Sequence, residues 1–183
     1  MQWVLIHPVI SGTGTAASIR SFAAQRMSHW RPDGAMFHPL LNPEADRDGL
    51  HASPDAATRE RLERDGWSPS AVFTAFREYA QNLPLVSYDV AFHLDRVLVP
   101  EWRRLGLGMI GSRGFCAREL TQRLLDPLPV SDIRLETLRQ FYGLTDRSTD
   151  EQTGHLRVLI DLFAVVLEPL ATRRGLVTRE DIA

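Results

Sequence analysis

The stretch LVSYDVAFHLDRVLVPEWRR, residues 85–104, decides the fold. Leu85, Val86 and Tyr88 close a short apolar run of strand character, after which Phe92, Val97, Leu98 and Trp102 recur at roughly helical spacing. A strand that runs into a helix in this way belongs to an α/β sheet, where ligands gather at the carboxyl ends of strands. Asp89, His93 and Asp95 fall at that edge.

Upstream, WVLI at residues 3–6 is an apolar run ending in His7-Pro8 and a Gly-bearing turn at 10–14, which predicts a central strand. Residues 19–27 alternate as a second strand and residues 35–41 as a third, with a hairpin loop at 29–34, so the economical arrangement is an antiparallel meander. After a polar loop at 42–53, residues 54–64 predict a helix capped by Ser53. Ser68-Pro69 opens another that runs to about Gln81 with Val72, Phe73, Phe76 and Tyr79 turned inward. Downstream, the helix after the quoted strand ends near Gly106, and Met109 and Ile110 read as an edge strand. Helices follow at 117–125, stopped by Asp126-Pro127, and at 131–142, capped by Ser131 and ended by Gly143. A polar loop at 145–154 leads into a last long helix, 155–173, whose wide apolar face carries Leu156, Leu159, Ile160, Phe163, Val166, Leu167 and Leu170. Residues 1–175 thus read as one domain and 176–183 as a loosely held tail.

Composition narrows the function classes. The chain has 44% hydrophobic and 24% charged residues, as ordinary globular proteins do. All 21 basic residues are arginine, but the net charge of −2 argues against a strongly basic nucleic-acid surface and leaves only a local patch of Arg103, Arg104, Arg113 and Arg118. The single cysteine, Cys116, excludes an internal disulfide and a Cys-rich zinc site. No apolar run approaches the ~20 residues of a membrane span and the start has no signal-peptide pattern, so a cytoplasmic, membrane-free protein is the expectation.

Seven stretches, taken in order, carry a resemblance. VLIHPVISGTG (4–14), FHPLLNP (37–43), LHASPD (50–55), GWSPSAVFTAFREYAQ (66–81), the strand and helix quoted above, CARELTQRLLDPLPVSDIRLETLRQFYGL (116–144) and GHLRVLIDLFAVVLEPL (154–170) follow one another as do the elements of the DnaQ-like (DEDDh) 3′-to-5′ exonucleases. The chain resembles that family from about Trp3 to Arg174. The resemblance implies an α/β, ribonuclease H-like fold with a central mixed five-stranded sheet flanked by helices.

The family holds two divalent ions with four carboxylates and uses a histidine as base. Matched to that pattern, this chain has His7 and Val9 in place of the first Asp and Glu, His93 in place of a further Asp, Tyr88-Asp89 in place of a His-Asn pair, and Asp161 at the fourth carboxylate. His155 resembles the catalytic histidine but stands one residue further from Asp161 than the family spacing. The implied catalytic remnant is His155 and Asp161, with His7, Val9, Asp89 and His93 in the cleft. Two doubly charged ions about 4 Å apart repel by roughly 17 kcal/mol even at an effective dielectric of about 20, so one carboxylate does not hold them. His7, His93 and Asp161 would instead suit a single transition ion, manganese or zinc.

Three function classes follow. The favoured one is an inactive exonuclease homologue that binds a single-stranded nucleic-acid 3′ end or a protein partner. The others are an active nuclease rebuilt around one metal at His7, His93, His155 and Asp161, and a scaffold without a nucleic-acid role. A homodimer is compatible with each.

Overall fold

A computed structural model describes residues 1–11, 18–42, 56–144, 151–176 and 181. The expected turn at 12–14, most of the loop at 42–53, the Ser53 cap and most of the loop at 145–154 lie outside them.

Strand β1, Gln2–Ser11, is the centre of a five-stranded sheet ordered β3-β2-β1-β4-β5. Its apolar run is unbroken because both faces are covered: Trp3 and Leu5 join one cluster, Val4 and Ile6 another, and all four are buried. β2, Ser18–Ser28, runs antiparallel to β1, and the two-residue β3, Arg31–Pro32, antiparallel to β2. On the other side β4, Pro84–Ser87, and β5, Ser112–Cys116, are parallel to β1 and to each other.

Helices cover both faces. Helix α1, Ala56–Asp65, precedes α2, Pro69–Ala80, which starts as the sequence predicts: Ser68 Oγ accepts from Ala71 N at 3.3 Å and Pro69 occupies the first turn. α2 packs Val72, Phe73 and Phe76 on Val4, Ile6 and Phe22, together with the π-helical segment Ala91–Leu98 and helix α3, Val99–Arg104. Phe22 meets Phe76 edge-on at 4.7 Å. The opposite face carries α4, Ala117–Leu124, α5, Leu135–Tyr142, and α6, Glu151–Asp161. α6 continues through the π-helical segment Leu162–Leu167 into α7, Glu168–Arg173. There Phe163 sits 4.9 Å from Trp3, ring to ring. Each such buried side chain contributes about 1.5–3 kcal/mol. Among the described residues no helix is long and apolar enough to cross a membrane.

Four expectations are corrected. The third strand is not 35–41 but Arg31–Pro32, after which the chain leaves the ladder and bridges back to β2 at Ala24–Phe37. Proline lacks a ladder donor, and side chains stand in for the missing ladder. Gln25 Nε2 donates to the Asp33 and Gly34 carbonyls, while the Tyr79 hydroxyl accepts from Arg26 N and donates to the Ala35 carbonyl. The edge strand is Ser112–Cys116, not Met109–Ile110, because Gly111 turns with a φ of +71° and brings the next residues alongside Leu85. The helix expected from Ser131 starts only at Leu135, since Asp132 Oδ1 accepts from Arg134 N at 2.9 Å and closes a local turn first. The long helix from His155 begins instead at Glu151 and widens to π geometry before Pro169, as the helix at 91–104 does before Pro100. A proline cannot donate to the carbonyl four residues back and its ring crowds that carbonyl; a wider turn relieves the clash. In the tail, Leu176 packs against the core and the Asp181 carbonyl accepts from the Arg123 guanidinium.

Strand β5 lies so close to β4 that a Cβ on Gly114 would come within 2.6 Å of the Leu85 carbonyl oxygen. Gly114→Ala should therefore lower stability to urea by about 1–3 kcal/mol, whereas Gly108→Ala, with nothing within 4 Å of the new methyl, should stay within about 0.5 kcal/mol of the parent.

Candidate functional site

Alternation along β1 puts His7 on the same face as Trp3 and Leu5, the face covered by α6. It lies toward the carboxyl end of β1, next to the parallel strand β4, whose own end leads through Tyr88 and Asp89 into the π-helical segment bearing His93. α6 supplies His155. The His7 ring meets both others edge-on, its centroid 5.8 Å from that of His93 and 5.3 Å from that of His155.

The three imidazoles have different surroundings. His93 Nδ1 shares a short hydrogen bond with the hydroxyl of Ser87, a wholly buried residue of β4, which fixes the ring and leaves Nε2 as its free nitrogen. His7 Nδ1 is buried and has no hydrogen-bond partner. Burial, reinforced by repulsion from His93 and His155, drives the His7 pKa down to about 3. Burial also lowers that of His93, against the opposing pull of Asp89. His155 is exposed, and Glu136 on α5 lies within its electrostatic reach.

The other expected residues are placed as follows. Asp89 accepts from Phe92 N at 3.0 Å and pairs with Arg118 at 3.4 Å, so it caps the turn into the π-helical segment while still facing His93. Val9 is half-buried and offers no donor. Asp161, half-buried, ends α6 six residues after His155, which in an ideal helix is about 9 Å along the axis and about 120° around it. Among the described residues no hydrogen bond, ion pair or ring contact joins Asp161 to the histidines, and no three His, Cys, Asp or Glu side chains stand ready to hold a metal ion, the expected set of His7, His93 and Asp161 included. Asp95 turns away and pairs with Arg113 on β5.

A pair of magnesium ions does not fit this donor set, which is nitrogen where hard ions need oxygen. The expected basic edge is also largely compensated: Arg104 pairs with Glu101 at 2.8 Å, Arg113 with Asp95 and Arg118 with Asp89. Sequence reasoning missed Ser87 and Glu136. A serine inside the apolar strand LVSY was the available signal, because a buried hydroxyl needs a partner; Glu136 on a solvated helix carried none. The sequence matches no protein-family model and no curated protein.

A lowered histidine pKa means that the folded chain binds fewer protons than the unfolded one between the two values, so stability rises with pH across that window. For His7 the window runs from about 3 to 6.5. Its contribution should be complete above pH 6.5 and disappear as the pH falls toward 3, at no more than about 1.4 kcal/mol per pH unit. In urea titrations at pH 7, 6, 5 and 4, His7→Phe should lose less stability per unit than the parent; equal slopes would mean that His7 is not held neutral.

Proposed function

We propose that this chain is a ribonuclease H-like relative of the DnaQ-like exonucleases that no longer hydrolyses phosphodiesters and works by binding, with a single-stranded nucleic-acid 3′ end as its ligand. The observation that carries this reading is the meeting of His7, His93 and His155 at the carboxyl ends of β1 and β4, two of them at positions that match metal-binding aspartates of the family the chain resembles. An antiparallel β1–β2–β3 meander followed by two parallel strands and a closing helix is in keeping with the same family. Phe92, exposed and 5.6 Å from the His93 ring, offers a base a face to stack on. The pairing of Arg104, Arg113 and Arg118 with acids leaves little free positive charge nearby, so stacking, more than counterion release, carries the affinity.

That pairing also favours a second reading, a scaffold that contacts a protein partner and no nucleic acid. Fluorescence anisotropy with labelled single-stranded DNA and RNA separates the two. Binding should be saturable, only weakly salt-dependent and without cleavage in magnesium, and Phe92→Ala should weaken it about tenfold or more, as loss of one stacked base does. Absence of binding to either strand would leave the scaffold. Nucleotide release with manganese or zinc, abolished by Asp161→Ala, would overturn the non-hydrolytic reading altogether.

A further inference from the structure

We propose that His7, His93 and His155 bind one divalent transition-metal ion of the zinc or cobalt class, with the exposed His155 swinging in to complete the set. Imidazoles that ligate one ion at about 2.0–2.1 Å have ring centroids about 3.2 Å from it, so tetrahedral neighbours stand about 5 Å apart, centre to centre. The observed separations of 5.3 and 5.8 Å about His7 are close to that spacing. The three donors are not yet gathered around one point. His7 is held in β1 and His93 by Ser87, which makes the solvent-facing His155 the member free to move.

Two features of the cluster point to a cation. A buried nitrogen without a partner costs about 1–3 kcal/mol, and the unpartnered His7 Nδ1 would regain a bond as a ligand. The Ser87 hydroxyl holds Nδ1 of His93, as the outer groups of metal sites hold their ligating histidines, and leaves Nε2 as the nitrogen available to an ion. Nitrogen donors select zinc, cobalt or nickel over magnesium or calcium. His155 thereby takes the place that the sequence assigned to Asp161. The site does not depend on the nucleic-acid reading, and its test involves no nucleic acid.

Untagged protein is titrated at neutral pH with zinc chloride by calorimetry and with cobalt(II) chloride by visible absorption. One ion should bind per chain, cobalt should give the intense bands of tetrahedral coordination, His155→Ala should weaken binding at least tenfold, and Asp161→Asn should leave it unchanged. His155 is exposed, so its alanine variant should melt in the metal-free state like the parent, and zinc should raise the melting temperature of the parent alone. Failure to saturate at one ion per chain, or saturation that survives His155→Ala, would overturn the proposal.

Discussion

Burial of β1 on both faces is the constraint on which the rest depends. A strand flanked by β2 and β4 and sandwiched between two helical layers has no solvent side, so every residue from Trp3 to Ile6 must be apolar and every backbone group must find a ladder partner. The aromatic contacts follow from it: Trp3 organises Phe115 and Phe163 on one face, and Phe22 of the adjoining β2 organises Phe73 and Phe76 on the other. His7 comes next in this strand, on the face of Trp3 and Leu5 that α6 covers. Its burial is a consequence of the strand's position.

That placement accounts for the choice of residue. A carboxylate at the same point, with no ion beside it, would be a desolvated charge, a state that costs far more than a buried neutral group. An imidazole can give up its proton and remain neutral, as the depressed pKa of His7 reflects.

The two π-helical segments shape the same region. Both immediately precede a helix with proline in its first turn, Pro100 and Pro169, and each widens the helix where a carbonyl would otherwise meet the ring. The first contains His93. The second follows Asp161 directly, so the turn that would extend the face of α6 beyond it departs from α-helical spacing.

Local chemistry made much of this legible in advance. Alternation along 3–6, the Ser68-Pro69 start of α2, the apolar face of that helix and the strand at 85–87 are all written in residues within a few positions of one another, where side-chain period and capping act. The departure of the third strand from the sheet, the late start of α5 and the position of β5 were not legible. They depend on Gln25, Tyr79 and Asp132 completing hydrogen bonds, and on how closely Gly114 approaches Leu85. The resemblance nominated the three histidines as neighbours, but the sequence alone held neither their edge-on arrangement nor the bond from Ser87, and it gave Asp161 a place among them that no contact supports. Residues drawn from opposite ends of a chain meet only through the packing of the elements that carry them, and that packing sums many weak contacts that no short stretch contains.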